Sequence, residues 1–214
     1  MTFIEVIGAV LSCFALAFII KNTPFTPLIT NKRIQHRVFG AATALFVLWL
    51  FRVSIYDGLV MHFLGLTAFT LVVGFRYSLL AGAVALFITT IFGYEPIERL
   101  GINYIFGVLA PILFSYLVYM FTFHKMTRHL FVYIFACGFF AGGVSIAIKM
   151  LLMSGYFWFE GLYEWSVIHY NYTQMIYLLI FQEAFFNGMV MTCLVVYKPN
   201  WIYTFSDKFY LDGK

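Results

Sequence analysis

The chain has 214 residues, of which 63% are hydrophobic and 10% charged, and its net charge is +4 with a mean hydropathy of +0.92. A soluble domain of this length needs far more charge to cover its surface, so lipid must solvate most of the polypeptide. Nucleic-acid binding finds no support, because no basic block is long enough. The three cysteines, Cys13, Cys137 and Cys193, are far apart within apolar runs. A disulfide framework or a Cys-x-x-Cys metal site is not expected; they read as small buried hydrophobes.

Seven apolar runs follow one another: Phe3–Ile20, Val38–Ile55, Leu59–Gly74, Tyr77–Tyr94, Ile102–Phe123, Leu130–Met153 and Gln174–Val196. At about 1.5 Å per residue most reach roughly 24–36 Å, enough for a hydrocarbon core of about 30 Å. The third and fourth are short and adjacent, as in a tight hairpin or a re-entrant pair. The first lacks a basic flank and a small-x-small cleavage site and carries Glu5, so it reads as a retained helix rather than a secretion signal. The expected fold is therefore an all-α bundle of about seven transmembrane helices. Residues 1–198 form one polytopic domain and residues 199–214 a short cytoplasmic tail.

Charge placement orients such a bundle. Ten of the 13 lysines and arginines (Lys21, Lys32, Arg33, Arg37, Arg76, Lys125, Arg128, Lys198, Lys208 and Lys214) fall on one side if the chain crosses seven times. The positive-inside rule then puts the N-terminus outside and the C-terminus in the cytoplasm of a bacterial inner membrane. Arg52, Arg99 and Lys149 fall at or near the outer end, where Arg52 and Lys149 are expected to snorkel. The outer side also holds Asp57, Glu95, Glu98, Glu160 and Glu164, with a long aromatic loop over Ser154–Thr173.

Few polar residues stand within the runs. Glu183 and Asn187 are spaced i, i+4 on one helix face, and a carboxylate at that depth must face a bundle interior, a cavity or a partner. It reads equally as a packing hydrogen bond, to Arg52 or Lys149, and as a functional group. His62 opens the third run, and imidazole is a common transition-metal ligand. His169 is the other outer histidine, while His36, His124 and His129 sit among cytoplasmic basic residues. Asn103 begins the fifth run, and Pro111, two turns later, frees a carbonyl and allows the helix to bend around a cavity. Gly138–Gly143 is a small-residue patch suited to close helix packing. There is no G-x-S-x-G, H-E-x-x-H or P-loop, so an enzyme and an ATPase within this chain are not expected.

The order of several stretches resembles the CbiM/NikM family, the substrate-capturing membrane subunits of energy-coupling-factor transporters for cobalt and nickel. They are Gln35–Ala42, Val60–Thr67 with His62, the Gly-Ala-rich Leu79–Phe87, Leu100–Tyr104, Ser115–Tyr119 and Gln182–Met189. The resemblance covers about Asn31 to Lys198. It implies seven helices with the N-terminus outside, a coupling transmembrane subunit and separate ATPase subunits as partners, and a cobalt or nickel ion as substrate; no tightly bound cofactor is implied. In the family the metal is held by an N-terminal Met-His and a further histidine at the third helix, a position that His62 matches. This chain begins Met1-Thr2-Phe3-Ile4-Glu5, and Gly93–Arg99 replaces the family's His-Gly-Gly segment. The resemblance therefore implies an altered or lost metal site around His62, with Glu183, Asn103 and His169 as further candidate ligands. Two other functions fit the same residues: a non-transport assembly, sensor or scaffold protein that keeps the fold, and an intramembrane enzyme using Glu183 and His62.

Overall fold

The computed structural model describes residues 2–210, excepting the side chains of residues 207 and 208. Helix α1 (Phe3–Asn22) begins with a capping box, in which Thr2 Oγ1 accepts from the Glu5 amide and the Glu5 carboxylate accepts from the Thr2 amide. A single-turn α2 (Thr26–Thr30) interrupts what the sequence suggests is a loop. Helix α3 (Lys32–Leu50) starts ahead of the expected Val38, because Asn31 Oδ1 accepts from the Arg33 and Ile34 amides and caps it.

The second and third runs depart from the expected helices. Arg52–Ser54 (β1) and Val60–His62 (β2) form an antiparallel hairpin, with Arg52 opposite His62. His62 thus lies on a strand, not at the start of a helix. The helical part of the third run is α4 (Leu66–Val73), eight residues long. That is about 12 Å, less than half of a core of about 30 Å. Left-handed Gly65 (φ 63°) stops the helix at one end and Gly74 (φ 89°) turns the chain sharply at the other.

The remaining elements are α5 (Phe75–Ile91), α6 (Ile97–Lys125), α7 (Leu130–Phe159), α8 (Trp165–Asn171), α9 (Ile176–Tyr197) and a last turn, α10 (Asp207–Tyr210). Much of the expected aromatic loop after Ser154 is thus helical. Helix α6 becomes π-helical over Ile105–Leu109, directly before Pro111, where the missing amide disturbs the ladder. Among the described residues, four stretches are long and apolar enough to cross a membrane: Phe3–Asn22, Ile97–Lys125, Leu130–Phe159 and Trp165–Tyr197. Apart from the hairpin, this is an all-α membrane protein. Cys137 is buried as expected, whereas Cys13 and Cys193 are exposed on the helix exteriors.

Helix α4 forms the centre. All eight of its residues are buried, against α3, α5, α6, α7 and α9. The Gly138–Gly143 patch does pack closely, lying against Gly188, Asn187 and Ala184 of α9. A helix this short leaves orphan backbone groups at both ends, far from water. At its start the Glu183 carboxylate accepts from the Leu64 and Gly65 amides (2.9 and 2.6 Å), and Asn187 Oδ1 accepts from the Ala68 amide (2.8 Å). Asn187 Nδ2 donates back to Glu183 Oε1 at 2.8 Å and holds the carboxylate in place. At the far end the Tyr203 and Thr204 amides donate to the Val72 and Leu71 carbonyls, and the Thr204 hydroxyl donates to Leu71 as well. Tyr133 in turn donates to Thr204 Oγ1 at 2.7 Å. Residues 202–205 therefore lie against the bundle and complete it.

Two substitutions measure these caps. Glu183→Ala leaves two buried amides without acceptors, at about 1–3 kcal/mol each, and should lower the unfolding midpoint in detergent far more than Glu183→Gln, which retains one acceptor. Thr204→Val keeps the backbone bonds but strands the buried Tyr133 hydroxyl without its acceptor, so about 1–3 kcal/mol is expected. Thermal unfolding of the purified variants decides; a Glu183→Ala midpoint equal to wild type would show that the cap does not hold α4.

Candidate functional site

The hairpin forces the chain to pass from strand to α4 through a non-helical segment, and a cavity of about 40 Å³ opens beneath it. That volume holds a small ion or a few waters. The hairpin contributes Arg52, Val60 and His62 to its walls, α3 contributes Trp49, and the loop after α5 contributes Glu95. Asn103 and the π-helical Gly107 and Val108 come from α6, Lys149 from α7 and Tyr172 from the α8–α9 junction.

His62 is held in one tautomer. Its Nδ1 lies 2.9 Å from the Phe63 carbonyl oxygen, which can only accept, so Nδ1 carries the proton and donates. In the neutral ring Nε2 then keeps its lone pair. The ring lies 5.4 Å from Trp49, and the Trp49 indole donates to the Leu64 carbonyl at 3.0 Å. Fixing one nitrogen of an imidazole on a carbonyl is how proteins prepare the other for a ligand.

The rest of the cavity is dominated by charge. Arg52 Nη1 stands 3.5 Å from Glu95 Oε1, its Nε donates to the Trp49 carbonyl, and its guanidinium lies 4.8 Å from the centre of the Tyr94 ring. Asn103 Nδ2 donates to Glu95 Oε2 at 3.2 Å. Burial pushes the Glu95 carboxyl above its ordinary value, while Lys149, Arg52 and Asn103 pull it back. Lys149 is 7% exposed and its ammonium donates to the Val60 carbonyl at 3.3 Å. It does not snorkel outward as the sequence suggests. It turns inward, where the broken strand offers a carbonyl that a helix would have hidden.

Two of the four predicted ligands therefore meet. His62 and Asn103 share the cavity, while Glu183 and His169 do not line it. Glu183 is occupied with the α4 cap instead. The His169 ring stacks on Trp165 at 6.0 Å, and its buried Nδ1 has no hydrogen-bond partner. Sequence reasoning missed Glu95 and the inward turn of Lys149. The signal for Glu95 was faint: an acid in a short link, eight positions before an asparagine. Among the described residues, no group of three or more His, Cys, Asp and Glu side chains is placed to hold a metal ion.

The comparisons match this architecture. A solved structure described as a crystal structure of a truncated transition metal transporter superposes with a TM-score of 0.73 at 19% identity, covering 89% of this chain and 92% of that one. At that identity the likeness establishes the fold. A search of curated proteins found no match. The profile of the CbiM family, described as the cobalt uptake substrate-specific transmembrane region, matches residues 4–201. The chain belongs to the CbiM family.

Proposed function

We propose that this protein is the substrate-capturing membrane subunit of a metal-uptake transporter, with an altered cobalt- or nickel-class site in the cavity beneath the hairpin. It crosses the membrane seven times, with α4 and its non-helical lead as one crossing. The N-terminus and the hairpin face outside, and residues 199–214 face the cytoplasm. The placement of Arg33, Arg37, Lys125, Arg128 and Lys198 in the links that seven crossings put on one side supports this orientation. With no nucleotide-binding motif in the chain, ATP hydrolysis belongs to separate subunits, and a coupling membrane subunit relays it. The single observation that carries the reading is His62, whose Nδ1–H is fixed on Phe63 and whose Nε2 is left as a donor atom in a walled cavity. Glu95 and Asn103 supply oxygens beside it. Glu183 acts indirectly, by holding Leu64 and Gly65, and His169 stays outside the site.

Lys149 and Arg52 favour a second reading, a membrane assembly, sensor or scaffold protein that retains the fold. Two resident cations oppose a divalent ion in the same cavity. At an effective dielectric of about 20, like unit charges about 4 Å apart repel by about 4 kcal/mol.

Calorimetric titration of the purified protein with Co²⁺ and Ni²⁺ separates the two. If the cavity takes metal, His62→Ala should weaken binding at least ~10-fold, and Lys149→Met should strengthen it by a similar factor as one opposing charge is removed. Equal binding by wild type and His62→Ala would remove His62 as a ligand. Absence of binding by wild type and Lys149→Met alike would favour the scaffold. The orientation has its own test in a cysteine-free background in intact cells. Ser54→Cys, on the exposed hairpin, should react with an impermeant maleimide, and Asn200→Cys only after the membrane is opened. Labelling of both in intact cells would overturn the seven crossings.

A further inference from the structure

A second cavity, unrelated to the hairpin site, lies on the outside of the bundle. It is a groove of about 570 Å³ between α3, α4 and α9, with Gly40, Ala41, Ala44, Phe69 and Val190 among its walls. Arg37 is the charged residue in its lining. The α3 positions on the groove run from Arg37 to Leu48, a rise of about 17 Å, which exceeds one leaflet's half of a hydrocarbon core of about 30 Å. The small residues of α3 create the space: a Cβ placed on Gly40 would meet no atom within 4 Å.

The Arg37 end differs chemically from the rest. Trp201 closes it and also borders an adjoining cavity of about 330 Å³, whose walls include Arg33 and Lys198. Arg33 and Arg37 are one helical turn apart on α3. Arg37 is underused: its Nε is buried without a hydrogen-bond partner, and Nη1 reaches the Trp201 carbonyl only at 3.5 Å. A guanidinium carries five donors. Among the described residues, no carboxylate pairs with Arg33, Arg37 or Lys198. No acidic residue among those described lines either cavity.

An apolar slot of leaflet depth, ending in three cations with donors to spare, has the shape and charge of one ligand. We propose that the groove holds an acyl chain of an anionic phospholipid, whose phosphate rests on Arg33, Arg37 and Lys198. The apolar walls accept any acyl chain, and the cations choose the headgroup. A transmembrane helix of a partner would fill the groove but leave the Arg37 Nε and its neighbours unsatisfied. The lipid satisfies both. This site is independent of what the hairpin cavity carries.

Native mass spectrometry and thermal unfolding of the full chain in detergent test it, with added phosphatidylglycerol or phosphatidylcholine of the same chain length. Wild type should retain phosphatidylglycerol with about a tenfold preference and be stabilised by it more than by phosphatidylcholine. The Arg33→Gln/Arg37→Gln/Lys198→Gln triple variant should lose the preference and bind both lipids alike. Gly40→Phe, which fills the groove where the structure leaves room, should fold normally and lose both lipids. Equal retention of the two lipids by wild type would overturn the proposal and point to a groove for a protein helix. Undiminished lipid on Gly40→Phe would also overturn it, as would stabilisation by inorganic phosphate equal to that by phosphatidylglycerol, which would mark an anion site without a chain.

Discussion

A helix of eight residues at the centre of a membrane bundle presents orphan amides at one end and orphan carbonyls at the other, and lipid satisfies neither. The rest of the structure depends on how those groups are satisfied. Glu183 and Asn187 of α9 cap the amides, and the chain at 203–204 caps the carbonyls. The carboxylate suits its place because the positive end of the α4 dipole adds to the two amide bonds. A neutral side chain would supply hydrogen bonds without that electrostatic gain. The two caps also tie remote parts of the sequence to the third run, so α9 and the segment that follows it are fixed by the same short helix.

The break that demands the caps also makes the site. Had Leu59–Gly74 been one helix, the Val60 carbonyl would have been spent inside it and His62 would have projected from a cylinder. On a strand, Val60 offers its carbonyl to Lys149, and His62 lies beside the cavity with its ring pinned to Phe63. Leu64 and Gly65, which Glu183 holds, follow His62 within one short non-helical stretch. The ring position and the buried carboxylate are therefore mechanically linked, although Glu183 does not line the cavity. The π-helical segment of α6 contributes on the opposite wall, because Gly107 and Val108 line the same space.

Much of the fold was legible because composition and run length report directly on solvation by lipid. The presence of the long helices follows from apolar length, although the start of α3 and the end of α7 each lie six residues from the expected ones, and the depth of Glu183 and Asn187 correctly marked them as bundle-facing. The strand at Val60–His62 was not legible. Its residues are as apolar as those of a helix, and the deciding element, left-handed Gly65, looks like any other membrane glycine. Glu183 was assigned the wrong kind of partner for the same reason: without the break there are no free backbone amides to accept from, and only side chains such as Arg52 or Lys149 remain. Lys149 was misplaced because a lysine one turn from a helix end normally reaches for water. Its inward path requires a carbonyl and a carboxylate that tertiary structure alone brings near.

Charge then decides what the cavity can accept. Lys149 and Arg52 are set against Glu95 within it, and the Glu183 carboxylate lies close behind the α4 start. The resident groups nearly balance one another without a ligand. A bare divalent ion would add two positive charges to that balance inside a poorly screened space, where repulsion from an ammonium is strong. The neutral His62 ring and the Asn103 amide cannot offset this alone. The Lys149 ammonium is held on the Val60 carbonyl, so an added cation would meet it at close range. The ammonium thus already fills the place in the charge balance that a captured cation would take.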